Sequence, residues 1–234
     1  MLFRSKTEND SLIAKLGELF DGVENLYIAD GHHRSASAAK VGEYFRNGGN
    51  HSGEEEFNFF MAVIIPSRDL RVFDYNRVVK DLNGLSVDDF IARIKEAGFD
   101  VNECESGKFA FSEKHVFGMF LDEKWYELKA KSEIVPEDLI DSLDVSVLQN
   151  NLLSPILGIA DPRTDKRIDF VGGIRGFEGL EKRVYEDMAV AFAVPPVEMD
   201  DLLAVADAGE VMPPKSTWFE PKLASGLFVH SLKD

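Results

Sequence analysis

Asp30, Gly31, His32, His33 and Arg34 stand consecutively in the chain, and their types suit the binding of an anion. They follow a short apolar run, Leu26-Tyr27-Ile28-Ala29, which reads as a strand, and they open a stretch to about Arg46 that reads as a helix. A strand that ends in a glycine turn and opens a helix leaves the first helical N–H groups without internal partners. The helix dipole puts roughly half a positive charge at the same point. Phosphate is the common guest there, and Gly31 lets backbone approach it closely. Arg34 can hold phosphate oxygens with its planar fork. Arg34, Ala38, Val41 and Phe45 fall on one helix face. That spacing predicts an Arg34 that starts on the inward face, at the sheet edge, where a half-buried guanidinium needs an anion.

Asp30 repels a bare phosphate, so it needs a role of its own. It can cap the helix, hold a metal ion that bridges phosphates, or take a proton from an attacking hydroxyl. The last two together describe phosphoryl transfer. The bland alternative is a helix cap with an Asp30–Arg34 ion pair four residues apart. Two adjacent imidazoles at a helix start do little for stability, and they favour a binding site. Zinc fits less well, because neighbouring helical residues diverge by about 100° and chelate one ion poorly.

Weaker candidates lie elsewhere. Gly172-Gly173-Ile174-Arg175-Gly176 also follows an apolar strand pattern and opens a helix, but it lacks the lysine-serine pair of a Walker loop. Lys215, Ser216 and Thr217 follow two prolines, in a loop that either is merely solvated or brings a cation and hydroxyls to a phosphate. His51 sits in a polar loop, 47–56, that is expected to be mobile. Cys104 is the single cysteine, so no disulfide forms within the chain and no sequence neighbour activates the thiol. Trp218 and Phe219 read as core rather than base-stacking platforms.

The elements that must position these residues follow from periodicity. Helices are expected at 8–21, about 31–46, 87–97 with Ser86 as cap, 136–148 running on towards Pro155, 177–188 and 198–208. Asn47-Gly48-Gly49-Asn50 ends the second of these. Strands are expected at 26–29, 57–66, 71–79, 99–103, 108–112, 115–121, 124–129, 168–171 and 189–194. No linker or internal repeat interrupts the 234 residues. The expectation is one domain over 1–234, of α+β (mixed α/β) class, with a strand-turn-helix embedded in a mixed sheet and flanked by helices. The net charge of −16 argues against nucleic acid, whose backbone needs a positive surface, though an acidic protein can still hold a small anion at a locally positive site. The N-terminal stretch has no apolar signal core. The longest apolar run, Phe59 to Ile65, is too short to span a bilayer. Together with the lone cysteine, these features lead us to expect a cytoplasmic protein without a membrane partner.

Tyr27-Ile28-Ala29-Asp30-Gly31-His32-His33-Arg34 resembles the hallmark of a bacterial and archaeal family, domain of unknown function 1015. Leu143-Asp144-Val145-Ser146-Val147-Leu148-Gln149 agrees with it, as do Met212 to Phe219 and Pro221 to Leu227. The resemblance runs from about residue 8 to the end. The family is often labelled ParB-like, and its Gly-His-His-Arg core is similar to the phosphate-binding turn of the ParB, sulfiredoxin and free serine kinase superfamily. The resemblance implies that Gly31, His32, His33 and Arg34 touch nucleotide phosphates. It also implies that a long N-terminal region, which precedes the turn in family members, is absent here, so that the chain is expected to be either a fragment or one part of a split protein whose separate chain supplies that region. His32 stands where sulfiredoxin carries its cysteine, which removes that chemistry.

Two main readings result. One is a nucleotide-dependent phosphotransferase acting on a small hydroxyl compound, free serine among the candidates. It would use ATP or ADP with Mg²⁺, Asp30 as base or metal ligand, and Lys215, Ser216 and Thr217 as further phosphate contacts. The other is a non-catalytic nucleotide-binding regulatory module, with an inactive fragment of the family as its limiting case.

Overall fold

A computed structural model describes residues 7–49, 51–224, 226 and 228–232. Asn50 of the expected helix stop, and Ser225 and Leu227 of the C-terminal motif, lie outside the described residues. The chain divides into two units, Met1–Met61 with His230–Asp234, and Ala62–Val229.

In the first unit, α1 (Asp10–Asp21) starts where Asn9 accepts the Leu12 N–H at 3.1 Å. The periodicity of Leu12, Ile13, Leu16, Leu19 and Phe20 correctly marks this helix, yet none of its residues is buried. α2 (His32–Asn47) buries only Gly42. The Phe57 carbonyl lies 3.0 Å from where a Gly42 Cβ would stand, so a glycine admits the chain against the helix. Phe45 stacks on Phe57 at 5.4 Å, and Arg46 donates to Asn58 at 2.9 Å. The loop before this contact is bonded internally. Glu55 accepts the Ser52 N–H at 2.6 Å and the Gly53 N–H at 3.0 Å, and it also accepts from Asn58 at 3.1 Å.

The second unit is built on a six-stranded antiparallel sheet in the order β3-β5-β4-β7-β2-β6. Its strands are β2 (Tyr75–Val79), β3 (Phe99–Glu103), β4 (Val116–Leu121), β5 (Lys124–Ala130), β6 (Ile168–Gly172) and β7 (Val190–Ala193). β1 (Arg71–Phe73) and β8 (Trp218–Glu220) form a separate antiparallel pair. Alternation assigns the two faces. Val79, Phe117, Met119, Leu121 and Phe192 pack beneath α3 (Val87–Glu96) and α4 (Asp144–Leu148) with the turn that follows it. Val78, Val116, Phe120 and Ala191 pack against Leu180 of α5 (Gly176–Glu186). Val205 of α6 (Met199–Asp207) joins the first cluster. The architecture is α+β, with helices on both faces of an antiparallel sheet.

Several expected elements differ. Residues 23–29 and 59–66 lie outside any strand, with Glu56–Asn58 as a short helical turn between them; an apolar run becomes a strand only where a partner edge offers hydrogen bonds. The expected strand 71–79 breaks at Asp74 into β1 and β2, which join different sheets. Residues 108–112 form no strand, because Phe109 and Phe111 turn into an aromatic cluster with Trp125 and Phe177. The helix expected from Pro136 begins only at Asp144. Asp138 takes the N–H groups of Ile140 and Asp141 in a local turn, at 2.9 and 3.0 Å, and Leu143 is extended. Ser86 caps α3 as expected, accepting the Asp89 N–H at 3.2 Å.

Two outcomes follow from this uneven burial. Phe117→Ala, in a fully buried position, lowers stability by about 3–5 kcal/mol, whereas Leu16→Ala on α1 changes it by no more than about 0.5 kcal/mol; urea denaturation followed by circular dichroism checks both. Hydrogen bonds from Ser52, first among them its backbone N–H, hold the Glu55 carboxyl at about 2 instead of 4.5. The folded value is depressed, so the loop's stabilisation is complete above pH 4.5 and is lost as pH falls through about 2. An NMR titration of Glu55 should place its midpoint there, and a midpoint near 4.5 contradicts the bonding pattern.

Candidate functional site

Gly31 is the hinge of the Asp30–Arg34 turn. Its φ of +87° is left-handed, a region that glycine enters without strain. The Gly31 N–H donates to Asp30 Oδ1 at 2.8 Å, and the Gly31 carbonyl accepts the Ser35 N–H at 2.9 Å. The N-cap residue, Gly31, has no side chain with which to cap α2, so the N–H groups of His32, His33 and Arg34 stand at the start of a 16-residue helix without a cap from that position. Asp30 thus accepts the N–H of the residue that turns the chain into α2.

Asp30, His32, His33 and Arg34 are all exposed. This corrects the expectation that Arg34 starts on an inward face at a sheet edge. Residues 23–29 supply no strand for it to lie against, and the half-buried side of the helix is Gly31, Ser35, Ala38 and Val41. The Arg34 side chain instead folds back over the turn. A Cβ on Gly31 would stand 3.1 Å from Arg34 Nη2 and 3.2 Å from Nε. The guanidinium thus lies beside the helix start, and its charge adds to that of the dipole. Among the described residues, no three His, Cys, Asp or Glu side chains group as a metal site.

Lys215, Ser216 and Thr217 belong to the second unit. Ser216 is buried and its hydroxyl donates to the Pro213 carbonyl at 2.7 Å, so that hydroxyl shapes the turn. Lys215 has a left-handed φ of +59°, which swings its ammonium over the Tyr75 ring at 5.5 Å and the Phe170 ring at 5.9 Å. Phe219 is buried, as expected of core. Trp218 lies against Gly172, where a Cβ would be 2.7 Å from its ring. A Cβ on Gly173 would overlap the Asp74 carboxylate. The glycines of 172–176 therefore admit close neighbours, one of them an anion, which argues against a second phosphate loop.

His51 is exposed, with its ring 6.5 Å from that of Phe57. Burial, then the charges of Glu127 and Glu103, push the Cys104 thiol up, which keeps it protonated and unreactive. Sequence reasoning passed over Tyr75 and Phe170, which meet Lys215 from strands far away in the chain, and Arg77, which lies over the same Phe170 ring. The one available signal was an arginine inside the apolar strand Tyr75–Val79.

The turn yields a direct outcome. Gly31→Ala forces a side chain into the left-handed region at about 1–2 kcal/mol and crowds Arg34. Amide exchange at Ser35 should accelerate roughly tenfold, and an unchanged rate would show that the turn does not need glycine.

The family model described as "Protein of unknown function (DUF1015)" matches residues 5–146. No curated protein matches the chain. Among solved structures, a mutant free serine kinase in complex with AMP is 16% identical, with 92% of this chain and 81% of that chain covered and a TM-score of 0.44. The same comparison with a mutant free serine kinase in complex with ADP gives 16% identity, 92% and 82% coverage, and 0.44. A conserved hypothetical protein from Pyrococcus furiosus is 18% identical, with 90% and 81% covered and a TM-score of 0.45. The family match spans more than half of the sequence, and the chain belongs to this family of proteins of unknown function, DUF1015.

Proposed function

We propose that the protein is a nucleotide-dependent phosphotransferase acting on a small hydroxyl compound, with free serine as the first candidate. The observation that carries the reading is the N-terminus of α2 at a left-handed Gly31, with the Arg34 guanidinium folded beside it. In this reading the N–H groups of His32, His33 and Arg34 and the Arg34 fork hold nucleotide phosphates, in the manner of a ParB-like turn. Asp30 takes the proton of the attacking hydroxyl. The hydroxyl oxygen forms a bond to the terminal phosphorus, the bridging P–O bond breaks, and the shortened nucleotide leaves. In the second unit the Ser216 hydroxyl, bonded to Pro213, keeps the loop of Lys215 and Thr217 in shape.

A single carboxylate at the turn suits a divalent ion that arrives on ATP or ADP, since Mg²⁺ commonly takes one or two protein carboxylates and completes its shell with phosphate and water. Asp30 is the residue that would hold it, and the ion would neutralise phosphate charge. The second reading, a nucleotide-binding module without catalysis, is favoured by the bond from the Gly31 N–H to Asp30, which already gives that carboxylate structural work.

Calorimetry with Mg²⁺–ATP and Mg²⁺–ADP, with turnover assays on a panel of amino and hydroxy acids, tests the proposal. Arg34→Ala should weaken nucleotide binding by about ten- to a hundredfold, the worth of one charge-assisted contact. Asp30→Asn should keep binding and abolish turnover. Binding without turnover in the unaltered protein selects the module, and absence of both overturns the nucleotide reading.

The first unit also supports a protein partner. Leu26 and Ile28, with Phe59, Phe60 and Met61, are exposed apolar residues in segments that form no strand among the described residues. We propose that a separate polypeptide supplies strands to these segments. The protein alone should bind an apolar fluorescent dye at these residues, and Phe59→Ser with Phe60→Ser should remove that signal; dye binding unchanged by the double variant sinks the proposal.

A further inference from the structure

Arg77 is the anomaly of the second unit. The alternation of β2 puts Tyr75, Arg77 and Val79 on the same face, and Val79 belongs to the core there. Arg77 pairs in register with Phe170 on β6 and with Phe192 on β7. The residue is 4% exposed, and burial pulls its pKa down to about 10. The neighbouring arginines of this unit show what a partly buried guanidinium ordinarily has. Arg167 lies 3.0 Å from Asp165 and 3.4 Å from Asp81. Arg183 lies 2.8 Å from both Asp169 and Asp187. Arg77, the most buried of them, has no such carboxylate among the described residues. It has the carbonyl of Tyr75, to which Nη1 donates, and the Phe170 ring at 5.6 Å.

A desolvated cation without a counter-charge is strongly unfavourable, and a methionine of similar length would fill the same space. The charge is also not sealed in. Arg77 keeps 4% of its surface exposed, and Lys215, over the same Phe170 ring, is exposed. A second cation stands over the same aromatic pair. The Lys215 ammonium is 5.9 Å from the Phe170 ring and 3.4 Å from the Tyr75 hydroxyl, and it too pairs with no carboxylate among the described residues. The ring centroids of Tyr75 and Phe170 are 5.7 Å apart, and Tyr75 meets Trp218 edge-on at 5.6 Å. Two positive charges and a phenol are thus gathered on one aromatic platform at the end of the sheet.

We propose that Arg77, Lys215 and Tyr75 form an oxyanion subsite that takes the dianionic phosphate group of a small phosphate monoester. The ligand supplies the counter-charge that the fold withholds from Arg77. A guanidinium fork and an ammonium together match a phosphate dianion better than a carboxylate, which one arginine already satisfies. The proposal lies wholly in the second unit and shares no residue with the turn on which the phosphotransferase reading rests.

Trp218 provides a local readout, because the chain has two tryptophans and Trp125→Phe leaves Trp218 alone. Titration with inorganic phosphate and with glycerol phosphate, at constant ionic strength, should change Trp218 emission saturably, with the monoester the tighter of the two. Acetate should give no saturable change. Lys215→Ala, at an exposed position, should weaken the response at least tenfold. Arg77→Met should abolish it and raise the thermal midpoint of the ligand-free protein. Arg34→Ala should leave it intact, so failure of nucleotide binding at the Gly31 turn does not touch the outcome. If Arg77 merely holds the Tyr75 carbonyl, Arg77→Met lowers the midpoint and leaves the phosphate response as it was. Either that result or a response only to inorganic phosphate overturns the proposal. So does acetate binding as tightly as phosphate.

Discussion

A sheet covered on both faces tolerates few polar side chains, and this constraint governs the second unit. All six residues of β4 are buried, three towards each layer of helices or loops. Burial that complete must be matched by backbone pairing, and the six strands pair throughout in antiparallel register. Where a polar residue does enter, it is tied down. Asn76 is fully buried, accepts the Val194 N–H at 2.9 Å through Oδ1, and donates to Asp74 through Nδ2. That one amide fixes the corner at which the chain leaves β1 for β2. Asp74 in turn receives the Gly173 N–H on its backbone carbonyl at 2.8 Å, and burial pushes its carboxyl up. The corner then sets where Tyr75 and Arg77 point.

The first unit works under the opposite condition. Neither α1 nor α2 buries a side chain, and the local order comes from caps, glycines and short-range hydrogen bonds. Gly31 and Gly42 illustrate two separate uses of a missing side chain. At Gly31 the backbone must turn left-handed, while at Gly42 another stretch of chain must come close. The turn at Asp30–Arg34 can therefore keep its shape without a sheet behind it. An exposed helix end shaped in this way is open to a ligand, since no core side chain occupies it.

This difference explains how much was legible from the sequence. Most helices were readable because their signals are local: Ser86 caps, Gly31 turns, and apolar spacing runs through 12–20 and 90–97. Strand pairing depends on distant partners, so the apolar runs at 26–29 and 57–66 looked like the strand at 116–121 although only the last has edges to join. The Asp30–Arg34 turn was legible in composition and in backbone shape. The direction of Arg34 was not, because helical periodicity assumes an inward face that this helix scarcely has. Arg77 escaped notice for a related reason. In the alternation of Tyr75–Val79 an arginine reads as solvent-facing, and only the approach of Phe170 and Phe192 turns that position into an interior one.

The charge of the whole chain gives these positions their weight. With a net charge of −16, the average surface repels anions, and long-range attraction cannot bring a phosphate in. Any anion site must then be local and preorganised: donors fixed by backbone, or cations whose ordinary carboxylate partners are absent. Carboxylates outnumber basic residues by 42 to 26, so an arginine or lysine that goes unpaired does so against the odds of composition. Arg163, Arg167 and Arg183 each hold an aspartate. The backbone of β2, pinned by Asn76, carries Arg77 to a stretch of sheet lined by aromatic rings, and the prolines before Lys215 deliver its ammonium to the same rings. In so acidic a chain, keeping two cations there away from carboxylates is the condition under which an outside anion can compete for them.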